Sequence, residues 1–210
     1  MAILNIREIN KRLYNPEIEK ERLTVTPILN PKVQIEGPGI DLRLSNQFIV
    51  FNPEHIPYFN IGNLNRKQIV KDIRKYQSHV IVPFHQSFIL HPKTIVLAST
   101  LEYISMPTDI EGTLEGRSSW ARLGLIIATA CAIDPGFKGC ITLELTNLGN
   151  LPLRLYPGIR LAKLILSETS SPSDYKPQNK KYFCQIGPEF SKIHLDKELK
   201  IFTRKDNSKR

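Results

Sequence analysis

Apolar residues recur along this chain in two rhythms. Ile6, Ile9 and Leu13 follow helical spacing and the run stops at Asn15-Pro16, which predicts a helix over residues 6–14. From residue 40 the period shortens to two. Residues 40–44 read Ile-Asp-Leu-Arg-Leu behind the turn Gly37-Pro38-Gly39, and residues 48–51 continue as a strand. Residues 67–76 fit a short surface helix or a loop insertion equally well. Short strands then follow at 79–82, 88–90, 94–99, 103–105, 111–114, 125–130, 140–147, 151–155 and 160–166, separated by Pro, Gly and Asn. Asn147-Leu148-Gly149-Asn150 reads as a hairpin turn with Gly149 at positive φ, and Asp134-Pro135-Gly136 as a second hairpin. Residues 117–124 fit one or two helical turns, with a Ser cap and Gly124 at the stop. The pattern is mainly β with short helices, as in an antiparallel barrel or jelly roll. Beyond Glu168 the chain turns polar, as a flexible linker or lid does, and ordered patterning resumes over residues 180–188.

At 210 residues and 41% hydrophobic, the chain can bury one real core. We therefore read residues 1–168 as the barrel with its N-terminal helix, and 169–210 as a C-terminal lid and tail of the same domain. No apolar run approaches the ~20 residues of a membrane span, and residues 1–12 lack a secretory apolar stretch. A cytoplasmic protein without a membrane partner is expected. The net charge of +9 suits a polyanionic partner. Nucleic acid is not expected, because no DNA- or RNA-binding signature accompanies the charge. The three cysteines form no CxxC pair, which argues against a disulfide framework and a protein-bound zinc. Zinc deaminases need a His or Cys ligand, a nearby Glu and a PCxxC pair.

Two segments carry candidate chemistry. In Glu115-Gly116-Arg117-Ser118-Ser119, helix-opening N–H groups, two hydroxyls and a guanidinium make an anion cradle, or only a helix cap with a surface Arg. Residues 140–147 alternate, with Ile141, Leu143 and Leu145 on one face and Thr142, Glu144 and Thr146 on the other. Glu144 is either a solvated outer-face residue or a general acid/base held in a pocket.

Together these segments resemble the dCTP deaminases of the dUTPase-like trimer superfamily. The run Leu114-Glu115-Gly116-Arg117-Ser118-Ser119-Trp120-Ala121-Arg122-Leu123-Gly124-Leu125 looks like their signature helix. Residues 133–145, Asn147-Leu148-Gly149 and 151–158 resemble the region that follows. Residues 39–44, 88–92, 97–103, Lys181-Tyr182 and Gln185-Ile186-Gly187-Pro188 also match, so the likeness runs from about residue 37 to 193. It implies a distorted jelly-roll β-barrel, a homotrimer with sites shared between subunits, and zinc-independent deamination. Glu144 would take a proton from the water attacking C4 of cytosine and then protonate the leaving amine. Ser118 and Arg122 would hold the water and base, and Arg117 and Ser119 the phosphates. Main-chain groups at Thr129, Ala130, Thr142 and Leu143 would read the pyrimidine edge. Asp134 would bind the 3′-hydroxyl, and Phe137 would lie against the sugar. Tyr175, Lys181 and Gln185 would come from a lid over the triphosphate. Mg2+ would accompany the nucleotide, with no metal held by protein ligands, and dTTP is a candidate inhibitor.

The chain departs from many bacterial deaminases in carrying Cys131-Ala132 where they have His-Arg, in a segment one residue shorter. Bifunctional members, which carry dCTP through dUTP to dUMP, also lack that pair. In them the residue matching Asp134 is associated with the water that attacks phosphate. Deaminase, bifunctional deaminase–dUTP diphosphatase and plain dUTPase therefore share this pattern, although a Gly-rich aromatic arm typical of dUTPases is missing. A non-catalytic nucleotide sensor is the reading of another class.

Overall fold

The computed structural model describes residues 2–17, 19–53, 57–61, 65–128, 132–174, 180–196 and 198. Seventeen elements follow in order: α1 (Ile6–Tyr14), β1 (Thr24–Thr26), α2 (Pro31–Gln34), β2 (Ile35–Glu36), β3 (Gly39–Arg43), β4 (Gln47–Phe51), α3 (Arg66–Tyr76), β5 (Gln77–Ile81), β6 (Phe88–Leu90), β7 (Ile95–Ser105), β8 (Ile110–Gly116), α4 (Ser118–Ala121), β9 (Leu125–Ile127), β10 (Ala132–Ile133), β11 (Lys138–Asn147), β12 (Leu153–Leu155) and β13 (Arg160–Glu168). Two antiparallel sheets enclose the core. One runs β5-β4-β7-β11-β9, with β1 paired to the far half of β7; the other runs β10-β8-β13-β3-β2. A β12–β6 ribbon stands apart from both. None of the described helices is long and apolar enough to cross a membrane.

Alternation explains which side chains fill the space between the sheets. Ile40 and Leu42 of β3, Leu143 and Leu145 of β11, and Leu164 and Leu166 of β13 are buried. Phe48 of β4 stacks on Phe88 of β6 with ring centroids 4.5 Å apart. Helix α1 forms over the expected residues. Asn5 Oδ1 accepts from the N–H groups of Arg7 and Glu8, and Ile9 and Leu13 face the core, but Ile6 is left exposed. Residues 66–76 form a helix, α3, capped by Asn65 and held by buried Ile69 and Ile73. The two strands expected at 94–99 and 103–105 are one long strand, β7.

Both expected hairpins are corrected. β10 pairs with β8, whereas β11 pairs with β7 and β9, so Asp134-Pro135-Gly136 turns the chain from one sheet to the other. β11 does not pair with β12, whose partner is β6, and Gly149 does not hold a positive φ. It is glycine for room: a Cβ there would lie 2.9 Å from the Leu123 carbonyl oxygen. The strained position is Gly124, at φ 94°, where a Cβ would lie 2.5 Å from Gly149 N. Gly124→Ala should therefore cost about 2–4 kcal/mol, measured as a lower denaturation midpoint.

A buried polar cluster lies within the fold. Glu102 of β7 accepts from Arg43 N at 2.9 Å and Gln34 Nε2 at 3.0 Å and is fully buried. Burial pushes its carboxyl up to about 7, outweighing the hydrogen bonds that pull it down. The fold thus favours the protonated form. That contribution is present in full below the unfolded value of about 4.3 and is lost as pH rises through about 7. The loss should reach roughly 3 kcal/mol and appear as a falling melting temperature between about pH 5 and 8. Glu102→Gln should flatten that slope.

Candidate active site

The β11 alternation holds as read: Ile141, Leu143 and Leu145 are buried, while Thr142, Glu144 and Thr146 are half-buried on the other face. A cavity of about 650 Å³ opens beside that second face, lined from β11 by Thr142 and Glu144 and also by Ile141, which sits at the register shift between Cys140 and Thr142. The turn after β10 adds Asp134 and Phe137, and the C-terminal segment adds Lys180, Lys181, Tyr182, Phe183 and Gln185. Burial raises the Glu144 carboxyl above its ordinary range. The turn is locked by Phe137 N donating to Asp134 O at 3.1 Å and Gly136 N to Pro107 O at 3.0 Å. Phe137 packs partly on the core and partly lines the cavity.

The C-terminal segment, expected as a lid, is laid against the start of β11. Cys140 N donates to Gln185 O at 2.7 Å and Cys184 N to Lys138 O at 2.9 Å, in a parallel bridge between Gly139 and Gln185. Gln185 is buried, and its Nε2 donates to Cys140 O at 2.8 Å and to the Thr142 hydroxyl at 2.9 Å. Further along, Ser191 N donates to Gln77 Oε1 and Phe190 packs on His79. Lys181 reaches the cavity but pairs with Asp196 at 3.3 Å.

Arg117 and Ser119 line a different depression of about 380 Å³, shared with Trp120, Leu123, Ile159 and Arg160. Ser118 and Arg122 are exposed and border neither space. The expected Ser cap does not form: Arg117 is the N-cap of α4, with no side-chain capping bond. Helix α4 is a single turn, so its terminus contributes little field and the segment's charge is that of its side chains. Leu143 is in the core, its backbone opposite Ala98 of β7. On the β9 side, pairing covers residues 145–147 and ends with Ala128 N donating to Glu144 O, so Thr142 and Leu143 lie beyond it. Thr129, Ala130, Cys131 and Tyr175 lie outside the described residues. Within one chain, therefore, the Glu144 group and the Arg117 group stand in separate spaces.

The sequence did not single out Asp41. Its carboxylate is 2% exposed and takes three cations: Arg117 at 2.6 Å, Arg160 at 2.9 Å and Lys163 at 3.4 Å. Among the described residues, no group of three His, Cys, Asp or Glu side chains is placed to hold a metal ion.

Residues 4–169 match the model of the dCTP deaminase-like family. The chain belongs to the dCTP deaminase-like family. Relatives extend over nearly its whole length. The "dCTP deaminase, dUMP-forming" of Methanobrevibacter smithii is 37% identical, covering 95% of this chain and 100% of its own. The "dCTP deaminase" of Haloarcula marismortui is 38% identical, covering 94% and 97%. Among solved structures, the 2′-deoxycytidine 5′-triphosphate deaminase of Agrobacterium tumefaciens aligns with a TM-score of 0.57 at 19% identity. That alignment covers 79% of this chain and 46% of the other, and it shows the fold: the mainly β architecture is that of the dCTP deaminase-like family.

Proposed function

We propose that the protein hydrolyses the C4 amine of dCTP, giving dUTP and ammonia, with Glu144 as the proton-transferring group. The observation that carries this is Glu144 itself. It is half-buried on a cavity wall, its carboxyl raised by desolvation, and it faces the same space as Asp134, Phe137, Thr142 and Gln185. The likeness to proteins named dCTP deaminase over nearly the whole chain supports it.

In this mechanism the Glu144 carboxylate removes a proton from water as the water oxygen bonds to C4. The resulting carboxylic acid returns the proton to the amine, the C4–N bond breaks and ammonia leaves. A raised pKa suits both halves, since the acid must survive long enough to donate. Ser118 and Arg122 hold the water and base from a neighbouring subunit of a homotrimer. That arrangement accounts for their exposure here, away from the Glu144 cavity. Arg117 and Ser119 take the phosphates, Asp134 the 3′-hydroxyl, and the Phe137 ring lies against the deoxyribose. Main-chain groups of Thr129, Ala130, Thr142 and Leu143 read the pyrimidine edge. Tyr175, Lys181 and Gln185 complete the triphosphate side, Lys181 exchanging Asp196 for phosphate. Mg2+ would accompany the nucleotide and offset its phosphate charge, with no ligand from the protein. We place the protein in the cytoplasm, as a source of dUTP for thymidylate precursors.

A second reading, favoured by Asp134 sharing the Glu144 cavity, continues the reaction to dUMP and pyrophosphate. It matches the "dUMP-forming" names of the Methanobrevibacter smithii relative and of the Methanosphaera stadtmanae one, which is 38% identical over 95% of this chain and 98% of its own. Ion-exchange separation of the nucleotides formed from dCTP tests both. Accumulating dUTP supports deamination alone, dUMP with pyrophosphate supports the second reading, and unreacted dCTP contradicts both.

A further inference from the structure

Strand register gathers an unusual charge cluster on the five-stranded sheet. Lys163 of β13 lies directly opposite Asp41 of β3, and Arg160 opens β13 beside Arg117, which follows β8. Asp41 Oδ2 accepts from Nη1 of Arg117 at 2.6 Å and from Nη1 of Arg160 at 2.9 Å; Lys163 Nζ stands 3.4 Å from Oδ1. The carboxylate is 2% exposed, whereas the three cationic side chains are 27–29% exposed. One buried negative charge thus anchors three positive charges, leaving a formal excess of two toward the surface. Arg160 is further fixed by Nη1 donating to Val33 O at 2.6 Å, and its own carbonyl accepts from Trp120 Nε1 at 3.0 Å. Both arginines line the depression that holds Ser119.

We propose that Arg160 binds the polyphosphate alongside Arg117, and that Asp41 is the positioning residue holding both guanidinium groups. This rests on reading the site as one for a nucleoside triphosphate, and adds to it a second phosphate-binding arginine and its support. A guanidinium carries five N–H donors in a planar fork, so contact with Asp41 through Nη1 leaves donors to face a phosphate. Two guanidinium groups sharing one carboxylate oxygen are held side by side. Without it their mutual repulsion would spread them before the ligand arrives.

The test uses inorganic tripolyphosphate, which has no base, with the full-length protein. Calorimetry gives its affinity for wild type, Arg160→Ala and Asp41→Asn, each checked for folding by thermal melting. Arg160→Ala, at a part-exposed surface side chain, keeps the test informative if the buried Asp41 variant is unstable. Each folded variant should bind tripolyphosphate about tenfold more weakly than wild type. With dCTP, KM should rise by a similar factor while kcat stays within about twofold, a split that general loosening of the fold would not produce. Wild-type affinity in Arg160→Ala, a wild type that does not bind tripolyphosphate, or kcat falling in step with binding would each overturn the assignment. Tripolyphosphate binding is read without turnover. A protein that binds it through Arg160 but leaves dCTP unchanged would retain this inference and lose only the proposed reaction.

Discussion

Glu144→Gln should abolish deamination and leave dCTP binding within about threefold of wild type. The substitution keeps the shape of the side chain on the β11 face but removes the group that moves the proton. General acid–base catalysis contributes about 10²–10⁴-fold, and kcat should fall by at least that range. Rapid-quench turnover with calorimetric dCTP binding on the same preparation separates the two quantities. The pH profile should carry the same signature. Glu144 must start as the carboxylate, and burial holds its pKa above the ordinary carboxyl range. The wild-type rate should therefore fall as the pH drops through that raised value, before the unfolded carboxyl range is reached. Full activity in the Gln variant would remove Glu144 from the mechanism.

Two inactive variants should restore each other when mixed. Glu144 faces the large cavity, whereas Arg122 is exposed and borders neither described space. If Arg122 acts on a neighbouring subunit, Glu144→Gln and Arg122→Ala each disable every site in a pure trimer, by about a hundredfold or more. Unfolding and refolding them together in equal amounts produces mixed trimers. Over the whole random mixture, roughly one quarter of sites combine an intact Glu144 from one subunit with an intact Arg122 from another. Recovery toward a quarter of the wild-type rate is expected. A mixture as inactive as its parts would place both residues in one chain's site. The exposed apolar side chains Leu123, Ile126, Leu148 and Leu151 give a neighbouring subunit something to cover.

The β11 face was legible because one strand carries its own pattern: period-two alternation divides Ile141, Leu143 and Leu145 from Thr142 and Glu144 whatever the rest of the chain does. The same rule misled at Asp41. Alternation sets it opposite Ile40 and Leu42, where a polar residue ordinarily meets solvent. Its surroundings are instead made by Arg117 and Arg160, 76 and 119 residues away, and only the register of β3, β13 and β8 brings them together. Glu102 was hidden for the same reason, its partners Gln34 and Arg43 arriving from α2 and from the other sheet respectively. The hairpin read at Asp134-Pro135-Gly136 did not form, because turn chemistry fixes only a change of direction. That chemistry says nothing about which sheet the chain enters next, and β10 joined β8. The capped helix over residues 66–76 remained open in sequence because its two buried positions, Ile69 and Ile73, are few against many charges. The Arg117 and Glu144 groups line separate spaces of one chain, a placement set by long-range register on which local periodicity is silent.

Ammonia release tests the central claim most directly: purified wild-type protein is given dCTP and Mg2+, and ammonia is measured against dCTP consumed. The account predicts one ammonia for each dCTP lost, whichever uracil nucleotide accumulates. Intact dCTP with no ammonia, from protein that is folded and binds the nucleotide, would contradict it.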